Sequence, residues 1–173
     1  ELMLNLGDIL YGPIAPKATC ELLKGYSFIT IRGNQDRQIY EAADAETDAN
    51  PTMQFVLDDL DAESIRWLKS LPFDCQLNAE IYMCHGSPGN DLEYLLENIE
   101  TGSPRIRAES EIMASLNTQS ANIILCGHTH IPRTVTLRSG EMIINPGSVG
   151  LPAYTDDEPI MHSMENYSPH ASY

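Results

Sequence analysis

Gly127-His128-Thr129-His130 sets two imidazoles at i and i+2, directly after the apolar, strand-like run Ile123 to Cys126. At a strand end that spacing points both rings the same way, so both can reach one metal cluster. A helical histidine pair would need i, i+4. Read alone, the four residues are equally a pair of surface histidines in a turn. Three further motifs put a hard ligand at the end of an apolar run. Leu2 to Leu6 leads into Gly7-Asp8, Phe28 to Ile31 leads through Arg32 into Gly33-Asn34-Gln35-Asp36, and Ile81 to Cys84 leads into His85-Gly86. In each, a buried strand ends and a glycine beside the ligand permits a tight turn. The ligand then projects into the crevice at the carboxyl end of the sheet, where open α/β sheets bind ligands. Asp8, Asn34, His85, His128 and His130 form a mixed oxygen and nitrogen set suited to Mn, Zn, Fe or Ni rather than Ca.

Strand-like and helix-like segments alternate along the chain, which argues for an α/β fold. Pro16 to Lys24 predicts a first helix, with proline at its start and Gly25 just past its end. Ser27 to Ile31 predicts the next parallel strand, and Asp36 to Ala45 a second helix. A loop is expected around Asn50-Pro51. Asp61 suits the cap of a helix over Ala62 to Ser70, stopped by Leu71-Pro72. Asp74 to Leu77 and Glu80 to Cys84 predict strands joined at Asn78-Ala79. Residues 91–97 have helical spacing through Leu92, Leu95 and Leu96, and Ala108 to Leu116 predicts a further helix. Arg133 to Leu137 and Glu141 to Asn145 predict a hairpin around Ser139-Gly140. From Asp156 onward the chain is polar and uneven, as expected of an incomplete terminal segment, with His162 and His170 exposed in it. No internal repeat or linker is visible, so residues 1–173 read as one domain.

A length of 173 residues allows one substantial core, and 42% hydrophobic content is ordinary for a soluble protein. No apolar run approaches the roughly 18 residues a membrane span requires. Four cysteines occur, at 20, 75, 84 and 126, without CxxC spacing. Cys84 and Cys126 end apolar runs and read as small buried hydrophobes. Nothing suggests a disulfide scaffold, so a reducing cytoplasm is the default. The net charge of −15 repels long polyanions and argues against a nucleic-acid polymer as partner. Acidic stretches such as Asp44 to Asp48 and Asp156 to Glu158 read as solvated faces or loops. The surface makes no case for or against an oligomer.

The motifs GD at 7–8, GNQD at 33–36, HG at 85–86 and GHTH at 127–130 resemble those of the calcineurin-like metallophosphoesterases. Tyr11-Gly12-Pro13 and Asn145-Pro146-Gly147-Ser148-Val149-Gly150 resemble the small bacterial phosphodiesterase branch within that family. The resemblance runs over nearly the whole chain. It implies a four-layer αββα sandwich of two mixed β-sheets flanked by helices. It also implies hydrolysis of a small phosphodiester by a hydroxide bridging two divalent metal ions, with Mn favoured. By the same resemblance Asp8 bridges the metals, and Asn34, His85 and His128 complete one site. His130 serves the second site. Two metals about 3.5–4 Å apart can neutralise phosphoryl oxygens and steer in-line attack. A phosphomonoesterase acting on nucleotides or proteins is the alternative enzyme. A non-catalytic scaffold is the alternative outside the enzymes, since this fold occurs as a protein-binding subunit in retromer.

The sequence departs from the family pattern in two places. The family opens with a strand ending in Asp-x-His, which supplies two ligands to the second metal. Here the chain opens at Glu1, inside what resembles the second strand, and Met164 to Tyr167 resembles only the start of a closing strand. The expectation is that the first strand and the C-terminal strand are both missing. The second departure is Gln35, where many members carry a histidine that serves as general acid or phosphate contact. Glutamine cannot donate a proton usefully near neutral pH, though it can hydrogen-bond a phosphoryl oxygen. Leaving groups that need little protonation are therefore expected to react best. Asp36 reads equally as helix N-cap and as an orienting residue. Arg133, three residues past His130, is a candidate phosphate contact. Gly147 and Ser148 line a pocket floor or simply form a turn after a strand.

Overall fold

A computed structural model of the chain describes residues 2–42 and 49–173. The acidic stretch at 44–48 and the expected last turn of the second helix, residues 43–45, lie outside the described residues, as does Glu1. The chain divides into two compact units, Glu1–Phe73 and Asp74–Tyr173.

The first unit is built on a β-α-β crossover. Strands β1 (Met3–Asn5) and β2 (Phe28–Thr30) pair in parallel, with Leu4 opposite Ile29. Helix α1 (Pro16–Lys24) connects them, as parallel pairing requires. Its bounds are those the proline start and following glycine predict. Helix α2 (Asn34–Glu41) starts two residues earlier than the sequence reading placed it. Asn50 does not sit in a plain loop. Its side chain accepts from the Met53 amide and caps helix α3 (Pro51–Asp59), with Pro51 in the first turn. The asparagine-proline pair carried that signal, because both residues favour helix starts. Helix α4 (Ala62–Ser70) is capped by Asp61 as expected, through the Ser64 amide at 2.8 Å. The helices enclose a core of Leu10, Cys20, Ile39, Met53, Val56, Leu60 and Leu68.

The cap of α4 has a pH signature. The Ser64 amide, then the Ser64 hydroxyl and Lys17, hold the Asp61 carboxyl well below the usual carboxylate range. A depressed folded-state pKa stabilises fully above the unfolded value near 4, and that contribution is lost as pH falls through the folded value. Asp61→Asn keeps an acceptor for the Ser64 amide but cannot titrate. The expected result is a smaller drop in the urea midpoint between pH 7 and pH 2 than in the parent protein. An unchanged drop would show that the acid sensitivity arises at other carboxylates.

The second unit holds a five-stranded mixed sheet. Its order is β3 (Cys75–Gln76), β4 (Ile81–Met83), β7 (Ile123–Leu125), β9 (Met142–Asn145), β8 (Arg133–Thr136). Strands β4, β7 and β9 run parallel, while β3 and β8 pair antiparallel at the edges. Asn78 makes the β3–β4 turn by accepting from the amides of Glu80 and Ile81. Helix α5 (Glu109–Leu116) lies where expected, and Ile112 and Leu116 bury against Ile124, Cys126 and Ile143. Cys84 and Cys126 are buried and unpaired.

Two sequence expectations fail in this unit. Residues 91–97 are turn and extended chain rather than helix, leading into β5 (Glu97–Asn98), which pairs with β6 (Arg105–Ile106). Leu95 and Leu96 are both buried while Leu92 is exposed. Adjacent leucines fill the core from an irregular loop as well as from a helix, so the spacing did not discriminate. The segment from 153 is also ordered. Strand β10 (Ala153–Asp156) pairs antiparallel with β11 (His162–Glu165). His162 is therefore not an exposed tail residue; it is 1% exposed. The chain is α/β in both units. Among the described residues, no helix is long and apolar enough to cross a membrane.

Candidate functional site

In the first unit the two glycine motifs lie back to back. A Cβ built on Gly7 would fall 2.3 Å from the Gly33 nitrogen, and one on Gly33 would fall 2.5 Å from the Asp8 nitrogen. Only glycine lets the backbones after β1 and β2 approach so closely. The Asp36 carboxylate, with no solvent exposure, ties the two loops together. One oxygen accepts from Asp8 N at 2.8 Å and Gly33 N at 2.9 Å; the other accepts from Ile9 N at 2.9 Å. Gly33 is the N-cap of α2, so Asp36 is its third residue rather than its cap. It thus fixes the loop that carries Asp8. The Asp8 carboxylate accepts from the Gln35 amide at 2.9 Å, in the first turn of α2. The positive end of the helix dipole lies there, a favourable place for a carboxylate. Asn34 is buried in the same turn.

In the second unit, His85 and His128 follow adjacent parallel strands. The ladder continues past both strands, with Gly127 N donating to the His85 carbonyl at 2.7 Å. The strand ends are level, so the two imidazoles meet. Their ring centroids lie 5.2 Å apart, and their ligand nitrogens come within 4.8 Å. His128 and His130 both adopt left-handed backbone, at φ 65° and 59°. The GHTH segment, which follows the end of β7 as expected, is thus a strained loop. Asn145 braces that loop by donating to the Gly127 carbonyl at 2.7 Å and to the Thr129 hydroxyl at 2.9 Å. His130 Nδ1 lies 2.8 Å from the Leu151 carbonyl. A carbonyl only accepts, so Nδ1 carries a proton.

Arg133 lies against Glu97, its Nε donating to a carboxylate oxygen at 2.9 Å. Burial raises the Glu97 pKa, opposed by Arg133 and the Thr129 hydroxyl. Gly147 and Ser148 form the turn after β9. Asn145 accepts from Gly147 N, and Ser148 Oγ accepts from the Leu151 amide. That turn indirectly supports the His130 contact.

A family model described as a calcineurin-like phosphoesterase superfamily domain matches residues 1–166. The chain belongs to this superfamily. As a calcineurin-like phosphoesterase it is a metal-dependent phosphoric ester hydrolase. No curated protein matches the chain. Among solved structures, a metallophosphoesterase from Sphaerobacter thermophilus is 23% identical, with TM-score 0.64, over 95% of this chain and 78% of that one. A hypothetical protein from Pyrococcus horikoshii OT3 is 20% identical, with TM-score 0.65, over 94% of this chain and 73% of that one. These likenesses show a shared fold. The residues of this phosphoesterase fit the divalent metals its family uses. His85 and His128 present close nitrogen donors, and His130 has its tautomer fixed by a carbonyl, as ligating histidines require.

Sequence reading did not find Tyr94, Tyr154 and His162, which surround the two GHTH histidines. Tyr94 lay in the segment read as a helix, and His162 in the segment read as an incomplete tail. The available sequence signal was Met164, an apolar residue at i+2 from His162, the spacing of one strand face.

Proposed function

We propose that this phosphoesterase hydrolyses a small phosphodiester at a dinuclear centre, as in the small bacterial branch of its superfamily. The observation that best supports this reading is the convergence of His85 and His128 at the ends of neighbouring parallel strands. Asp8, Asn34, His85, His128 and His130 would hold the metal ions. Mn is the favoured metal, and Zn, Fe and Ni suit the same donors. When bound, divalent ions neutralise phosphoryl charge and lower the pKa of water.

The chain's own groups supply the rest. Asn34 offers a neutral donor, which limits negative charge facing an anionic substrate. Asp36 acts at a distance by fixing the Asp8 loop. The Gln35 side chain hydrogen-bonds a phosphoryl oxygen without protonating the leaving group. Arg133 braces Glu97 through Nε, and its terminal amino groups are proposed to contact phosphate. The net charge of −15 favours a small substrate over a nucleic-acid polymer. The four unpaired cysteines suit a cytoplasmic setting.

The test is turnover of bis(4-nitrophenyl) phosphate with added Mn²⁺. Aryl diesters should react at least about 100-fold faster than simple alkyl monoesters, the usual span of general-acid catalysis that Gln35 cannot supply. Equal rates would refute the role given to Gln35. Monoester hydrolysis alone would favour the phosphatase alternative, and no hydrolysis of either would favour a scaffold.

A further inference from the structure

We infer that His162, Tyr94 and Tyr154 form a buried hydrogen-bonded trio that positions the two histidines of the GHTH loop for metal binding. The inference deepens the metal-centre reading and rests on it.

The direction of each hydrogen bond follows from its partners. His162 Nδ1 lies 2.7 Å from the Ile160 carbonyl, so it carries the proton. In that tautomer Nε2 is an acceptor, and the Tyr94 hydroxyl donates to it at 2.9 Å. The Tyr94 oxygen can then only accept, and the Tyr154 hydroxyl lies 3.3 Å from it. The Tyr154 hydroxyl is also 3.2 Å from the His128 carbonyl, so it shares its hydrogen between the two. The trio thus runs from a wholly buried imidazole to the backbone of the GHTH loop.

The two tyrosine rings contact the two candidate ligands. Tyr94 lies against the His128 imidazole, with centroids 4.7 Å apart and planes 32° apart. Tyr154 meets the His130 ring edge-on, at 5.0 Å and 69°. Ring packing alone would need only phenylalanines, and an apolar residue at 162 would avoid burying an imidazole. The hydroxyls add direction. They fix both ring planes against histidines whose own backbone is strained, and metal affinity depends on such orientation. These are positioning residues.

The test uses the full chain stripped of metal and titrated with Mn²⁺ by calorimetry. Tyr94→Phe keeps the ring and deletes the hydroxyl. Its Mn²⁺ dissociation constant should rise about tenfold, at the lower end of outer-shell effects, with the thermal midpoint of the metal-free protein little changed. His162→Phe should weaken binding similarly. His162→Gln, whose amide oxygen can accept from Tyr94, should restore most of the affinity. A merely structural role predicts the opposite pattern, with melting shifted and affinity kept. Unchanged affinity in a folded Tyr94→Phe protein overturns the inference, whether or not the His162 variants fold. The control is His128→Ala. If that variant binds Mn²⁺ like the parent, the metal-centre reading itself fails; if it weakens binding while Tyr94→Phe does not, only the positioning role fails.

Discussion

His128→Ala is expected to lower phosphodiester turnover by about 1000-fold while the protein stays folded. A catalytic metal supplies several kcal/mol of transition-state stabilisation, and each ~1.4 kcal/mol is tenfold in rate. Losing one of the proposed ligands should forfeit most of that. His128 suits the test better than His85, which is 3% exposed and would leave a cavity when truncated. His128 is only partly buried, and its loop is held through groups that truncation spares. Asn145 holds the neighbouring Gly127 carbonyl, and Tyr154 reaches the His128 carbonyl. The measurements are kcat/KM on bis(4-nitrophenyl) phosphate with saturating Mn²⁺ and a thermal melt. Turnover within tenfold of the parent, with the melt unchanged, would exclude His128 as a ligand. The same experiment separates enzyme from scaffold, because a scaffold has no turnover for the substitution to remove.

Which features were legible in the sequence follows from how local their causes are. Helix α1 was readable because Pro16 and Gly25 act on their own backbone, and α4 because Asp61 caps within three residues. The strand ends before the glycine motifs were readable for a related reason: a glycine beside a polar residue after an apolar run implies a strand end whatever surrounds it. The Asn50 cap was equally local, though the sequence reading placed a loop there. The features that could not be read are tertiary. Nothing near Leu95 and Leu96 distinguishes a helix from a packed loop, since the core accepts either. The role of Asp36 depends on amides 26 to 28 residues away. The burial of His162 depends on Tyr94, 68 residues away. The spacing in GHTH could not show its backbone. Left-handed geometry at two histidines is held by Asn145 and Leu151, not by the tetrapeptide itself.

Gly7→Ala should be strongly destabilising, costing about 4 kcal/mol. Two costs add at this position. Gly7 sits at φ 95°, where an L side chain is strained, and such strain is worth about 1–3 kcal/mol. The new Cβ would also meet backbone, at 2.3 Å from Gly33 N and 2.7 Å from the Arg32 carbonyl carbon. Backbone cannot swing aside as a side chain can, and overpacking of this kind costs about 1–3 kcal/mol. The relaxation open to the protein is to part the two loops, which would pull Asp8 N and Gly33 N away from Asp36. The expected loss is therefore of two kinds: a lower urea midpoint and a lower Mn²⁺ affinity, because Asp8 moves with its loop. Gly12→Ala provides the comparison, since a Cβ there meets nothing within 4 Å. It should change stability by no more than about 0.5 kcal/mol. Equal stability of the two variants would mean that the loops after β1 and β2 do not make the close approach on which the placement of Asp8 depends.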